Sequence, residues 1–189
     1  MTRALTIEEE KRLIRIISER KHTERDLVII RFPLETGLRL REVAGLNWQD
    51  VSSMHEDILN RFKLRPEIAK RQKSRIVELN RHIRMELEAY RKWYSREFHQ
   101  TTGPLFISRI GRRLSPRQIE RIADKWFQLA GIDGVTYHGL RHTFAVKVNR
   151  CSKYGVEAAR RLLGHARLET TRLYVDHLGQ EELSAAVDW

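Results

Sequence analysis

The chain has 189 residues, 41% of them hydrophobic, which is enough to fill a core and excludes a globally disordered polymer. Lysine and arginine number 36 against 25 acidic residues, a formal net charge of +11, so a polyanionic partner is favoured and nucleic acid is the first candidate. Cys151 is the single cysteine, no apolar segment of signal-peptide type opens the chain, and no apolar run is long enough for a bilayer; a cytoplasmic protein without an intrachain disulfide is expected.

Taken in chain order, the first expected element is a helix capped by Thr6, with Glu8 to Glu10 in its first turn and Leu13, Ile14 and Ile17 as an apolar stripe. A second helix is predicted from Glu24 to Leu34, stopping near Gly37, and a third from Leu40 to about Leu46. The pattern then changes. Asp57 to Leu64 and Ser74 to Leu79 alternate Ile, Leu, Phe and Val with polar residues, as strands of a small antiparallel sheet do, joined by the charged stretch Arg65 to Lys73. Helical patterns resume at Arg81–Arg96, Ser115–Ala130, Gly139–Asn149, Val156–Leu163, Leu168–Tyr174 and Gln180–Val187, with Ser115-Pro116 a good helix start. The expected class is α+β: mostly helical, with a small antiparallel sheet of three strands.

Three segments stand out together. They are Thr36-Gly37-Leu38-Arg39-Leu40-Arg41-Glu42, then His138-Gly139-Leu140-Arg141-His142, then Leu162-Leu163-Gly164-His165 followed by Tyr174. In this order and at these separations the chain resembles the tyrosine recombinases, also called phage-type integrases. That family carries a TGLR-x-x-E segment, an H-x-x-R pair and an LGH segment, with a tyrosine nucleophile nine residues after the last histidine, where Tyr174 stands. The resemblance runs from about Leu5 to Ala186. It implies that Arg39, His138, Arg141 and His165 surround a scissile DNA phosphate and that Tyr174 attacks it. It also implies a catalytic lysine in a K-x-x-K-x-R-x-V-x-L hairpin, matched by Lys70, Lys73, Arg75, Val77 and Leu79, with Lys70 as the lysine. Two departures stand against the pattern. Arg71 occupies a position where the family often has glycine, which leaves Lys73 as a rival to Lys70. The helical N-terminal domain with which many members clamp DNA has no counterpart, so residues 1–189 are read as one catalytic domain.

The chemistry suits these residue types. Opening a phosphodiester needs a nucleophile, charge on the nonbridging oxygens and a proton for the leaving 5′-oxygen. A tyrosine hydroxyl serves as the nucleophile once its proton is removed. Two guanidiniums grip two phosphate oxygens in the place of metal ions. Lysine or histidine supplies the proton. The phosphotyrosine ester so formed resembles in energy the bond it replaced, so religation needs no ATP. Neither a cofactor nor a metal is expected.

Rival readings are kept beside this one. His138 and His142 stand four apart, as zinc ligands do, but lack the glutamate of H-E-x-x-H and flank Arg141. Arg41 competes with Arg39 and is read as a surface or DNA-backbone residue, Tyr137 as packing, His142 as structural, and Glu42 as a group that orients Arg39. The competing functions are type IB topoisomerase-like relaxation, a non-catalytic DNA-binding module on the same fold, and a metal-dependent hydrolase. The expected partner is double-stranded DNA. Self-association through the last helix is a further expectation, since that segment often docks on a neighbouring protomer in the family.

Overall fold

In a computed structural model, which describes residues 2–151 apart from Glu56 and Gln100, Thr6 caps the first helix, α1 (Ile7–Ser18). Its hydroxyl accepts from the Glu9 N–H and the Glu9 carboxylate returns to the Thr6 N–H, so two orphan donors of the helix start are satisfied reciprocally. Leu13 and Ile17 are fully buried on the inner face, each contributing about 1.5–3 kcal/mol of apolar burial. The helical patterns read at 156–163, 168–174 and 180–187, and with them His165 and Tyr174, lie outside the described residues.

Helix α2 (Glu24–Thr36) is the centre of the molecule. It is buried on nearly every side from Leu27 onward, packs mainly on α5 (Arg81–Phe98) and α7 (Tyr137–Cys151), and also touches α1, α3 (Leu40–Gly45) and α6 (Pro116–Leu129). Pro33 sits inside α2 and has no N–H to give to the Ile29 carbonyl one turn earlier. The buried hydroxyl of Tyr137 replaces it, donating to Ile29 O at 3.0 Å. Tyr137 is thus packing, as its sequence context implied, and it also fixes the first residue of α7 to the central helix. Tyr137→Phe is expected to leave that carbonyl without its donor and to cost about 1–3 kcal/mol, read as a lower midpoint in chemical denaturation; an unchanged midpoint would mean the bond contributes nothing.

The start of α7 is also crossed by the N-terminal strap. Leu5 N donates to Thr143 Oγ1 at 2.9 Å and Thr136 N to Thr2 Oγ1 at 3.0 Å. Gly139 lets the strap pass: a Cβ there would lie 2.5 Å from Arg3 O and 2.9 Å from Thr2 Oγ1. Helix α6 begins as the sequence implied, with Ser115 as cap, Pro116 in the first turn and a reciprocal Ser115–Gln118 pair. Helix α5 is capped by Asn80, whose side chain accepts from Ile83 N at 3.0 Å. Its Tyr90 and Tyr94 pack on Trp48 at ring separations of 5.4 and 5.3 Å.

The sheet is smaller than the alternation suggested. Among the described residues it has two antiparallel strands, β1 (Arg61–Lys63) and β2 (Ile76–Glu78), with Phe62 and Val77 opposed on the core side. The third strand is reduced to an isolated bridge, Ser52 to Ile58, which splits the expected Asp57–Leu64 run. Between Leu46 and that bridge lies the short helix α4 (Trp48–Val51), not foreseen, where the Asp50 carboxylate accepts from Asn47 N at 2.8 Å. Among the described residues no helix is long and apolar enough to cross a membrane.

Candidate active site

Helix α2 ends because Gly37 takes a left-handed backbone (φ 65°) and returns its N–H to Pro33 O. Leu38 then plunges into the core and the chain restarts as α3 with Arg39 at the cap position. The Thr-Gly-Leu-Arg sequence is therefore a helix stop, a core anchor and a helix start in succession. It holds the Arg39 side chain at a partly exposed corner, 23% accessible. Arg41, two residues on, is exposed.

The carboxylate of Glu42 is almost wholly buried, and both its oxygens are used twice. Arg39 N donates to Oε2 at 2.8 Å and Arg39 Nη1 to Oε1 at 3.2 Å. Arg75 grips the same carboxylate with both arms, Nη1 to Oε1 at 3.0 Å and Nη2 to Oε2 at 2.7 Å. Glu42 therefore orients Arg39, as the spacing of three suggested. Its charge is shared between Arg75, with two bonds, and Arg39, with one. Burial pushes the Glu42 carboxyl up, but the hydrogen bonds and charges of Arg75 and Arg39 outweigh it and hold it below the usual 4.5. A carboxyl depressed on folding adds stability in full above its unfolded value and loses it as pH falls through its folded value. Stability is therefore expected to fall with acid below about pH 4.5, and Glu42→Gln to flatten that slope in pH-dependent denaturation; an identical slope would contradict the ion-pair reading.

The His-x-x-Arg segment meets the Thr-Gly-Leu-Arg segment directly. Arg141 is 1% exposed and its Nη1 donates to the carbonyl of Gly37. His138, one turn back on α7, is pushed below the usual histidine range, first by burial and then by the positive charges of Arg141, Arg39 and Lys70. Three other predicted site residues, Arg141, Arg39 and Lys70, are thus near enough for their charges to act on His138. Its ring packs edge-on against His142 at 4.7 Å.

Lys70 occupies an exposed turn, Lys70–Gln72, between the two strands. Arg71 there adopts φ 59°, ψ 29°, and Gln72 φ 55°. The turn is tight although Arg71 stands in the left-handed region that favours glycine. The charges that act on His138 include Lys70. His165 and Tyr174 lie outside the described residues. Sequence reasoning missed the role of Arg75. Its signal was present only as the arginine of the K-x-x-K-x-R pattern, since nothing local indicates a partner 33 residues away.

With this geometry in hand, comparison with known proteins is specific. The Phage integrase family matches residues 3–181. The chain belongs to that family. Tyrosine recombinase XerC of Caldanaerobacter subterraneus subsp. tengcongensis is 31% identical over 186 residues, covering 97% of this chain and 50% of that protein. XerC of Thermodesulfovibrio yellowstonii is 31% identical over 191 residues, covering 97% and 60%. Among solved structures, XerA recombinase superposes with a TM-score of 0.80 at 30% identity, covering 98% of this chain and 62% of that one. XerH site-specific recombinase bound to palindromic difH, a post-cleavage complex, shares the fold at a TM-score of 0.75 and 22% identity, covering 100% and 53%. The chain thus spans between half and two thirds of the length of these relatives.

Proposed function

We propose that this chain carries out site-specific DNA recombination, cutting and rejoining strands through a covalent 3′-phosphotyrosyl intermediate. The observation that carries the reading is the direct meeting of the two motifs: Arg141 Nη1 donates to the carbonyl of Gly37, two residues before Arg39, while the Glu42 carboxylate is held by Arg39 and Arg75. That corner brings the Arg39 and Arg141 guanidiniums together, as an anion with two free oxygens requires.

Tyr174 Oη attacks the phosphorus, its proton passing to solvent water, and the phosphorus–O5′ bond breaks. Arg39 and Arg141 hold the nonbridging oxygens, with His138 and His165 as further donors. Lys70 gives the leaving 5′-oxygen its proton. The reverse step, attack by a 5′-hydroxyl of another strand, frees Tyr174 and completes exchange. The net charge of +11 favours binding to the duplex by counterion release. The chemistry is assigned to residues 1–189 as one catalytic domain, and the substrate places the protein on DNA in the cytoplasm. Self-association through the Gln180–Val187 segment would bring two such sites together, which strand exchange demands and simple relaxation does not.

The experiment is incubation with nicked duplex DNA containing the recognition site, resolved on a denaturing gel, beside a two-site recombination assay and a supercoil-relaxation assay. A protein–DNA adduct that survives denaturation and persists in chelator, with recombinant product, is expected. Adduct with relaxation alone would assign a topoisomerase-like activity. Binding without adduct would leave a DNA-binding module.

A further inference from the structure

The turn that carries Lys70 ought to be the least ordered part of the site. It is exposed, it holds Lys70, Arg71 and Lys73 within four residues, and two of its backbone units stand at positive φ. Such a backbone conformation is strained in a residue with a Cβ. Yet its two roots and its middle are fastened to two neighbouring elements, the six-residue helix α3 and the short helix α4 that follows it.

At the outgoing root, just beyond β1, Arg65 forks onto Asp50, Nε to Oδ1 at 2.6 Å and Nη2 to Oδ2 at 3.0 Å. The same Nη2 reaches the carbonyl of Gly45 at 2.9 Å. At the returning root, just before β2, Arg75 forks onto Glu42. The two roots are closed on each other by Leu64 N to Arg75 O at 2.9 Å. In the middle, Ile68 sits in a notch that exists because residue 45 is glycine: a Cβ on Gly45 would overlap Ile68 Cγ2. Ala69 N bonds back to Arg65 O at 3.1 Å, and Gln72 N to Ala69 O at 3.1 Å, so the fastening runs on to the Lys70 turn. The clamping carboxylates are 8% and 1% accessible, so these pairs are little screened by solvent.

We propose that Arg65, Arg75 and the Gly45–Ile68 notch position the leaving-group acid: they strap the lysine turn onto α3 and α4, so that Lys70 and Arg39 move as one body. The inference rests on the recombinase reading above. Of the three fastenings, Arg65 and the notch bear on Lys70 alone, whereas Arg75 also shares Glu42 with Arg39. Arg65 and Gly45 are therefore the informative positions.

The test is single-turnover cleavage by the full chain at saturating nicked DNA, on ordinary substrate and on substrate with sulfur in place of the bridging 5′-oxygen. A thiolate leaves without a proton, so this substrate does not need the acid. Arg65→Met and Gly45→Ala are each expected to slow cleavage of ordinary DNA by roughly tenfold to a hundredfold, part of what a positioned general acid supplies. On sulfur-substituted DNA both should cleave within about threefold of wild type, the acid being dispensable there. Arg65→Lys, which keeps stem and charge but loses the fork, should fall between. Thermal unfolding reports which variants are folded, and if Arg65→Met is not, Gly45→Ala carries the measurement. A folded variant as fast as wild type on ordinary DNA, or equally slow on both substrates, overturns the proposal and leaves the recombinase reading standing. No adduct from wild type on either substrate removes the recombinase reading and the proposal with it.

Discussion

Tyr174→Phe is expected to bind DNA as wild type does and to form no covalent adduct at all. The spacing from His165 points to Tyr174, and the structure narrows the field independently. The chain has five tyrosines. The Tyr90 hydroxyl donates to Leu105 O at 2.8 Å, that of Tyr94 to Thr102 O at 3.4 Å and that of Tyr137 to Ile29 O at 3.0 Å. All three rings are buried, and burial raises the pKa of each hydroxyl, which makes each a poorer nucleophile. Tyr154 and Tyr174 remain, and only Tyr174 stands nine residues after His165. Tyr154→Phe should accordingly keep the adduct. An adduct from the Tyr174→Phe protein on nicked DNA, or its loss from Tyr154→Phe, would reassign the nucleophile.

The second large effect belongs to the arginines. Arg39→Ala and Arg141→Ala should each slow cleavage at saturating DNA by at least about a hundredfold, the scale for losing one preorganised donor to a developing charge. They should differ in stability. Arg141 is 1% exposed and bonded to Gly37 O, so its removal opens a hole between α7 and the end of α2 and should also cost about 1–3 kcal/mol. Arg39 is partly exposed, and Glu42 keeps Arg75 when it is gone, so Arg39→Ala should unfold near the wild-type midpoint. Arg41→Ala, exposed and outside the cluster, should weaken binding more than cleavage. Equal cleavage defects at saturation for Arg39 and Arg41 would undo the assignment.

The contrast between what was legible and what was not follows from range. The α1, α5 and α6 helices are announced by residues within a turn of one another: Thr6 with Glu9, Asn80 before its helix, Ser115 with Gln118. The Arg39–Glu42 pair is equally local, and so it was found. The sheet was overestimated because alternation marks a half-buried face and not continuous pairing; Ile58 satisfies the pattern through a single bridge to Ser52. Helix α4 was missed because four residues carry no periodicity, although Asn47 and Asp50 are its cap. The arginine clamps join segments 15 and 33 residues apart, and the Tyr137 bond that compensates Pro33 spans 108. Each arginine among so many reads as a solvated charge until the fold shows which carboxylate it meets.

The central claim, that this chain joins itself to DNA through one tyrosine, is tested most directly by mapping the bond. The adduct formed on nicked DNA would be digested with nuclease and trypsin and its peptides sequenced by mass spectrometry. The predicted result is a nucleotide phosphate on the peptide Leu173–Trp189, located on Tyr174, the single tyrosine of that peptide. A phosphate carried by any other residue, or an adduct-free digest from protein that has cleaved its DNA, would contradict the account.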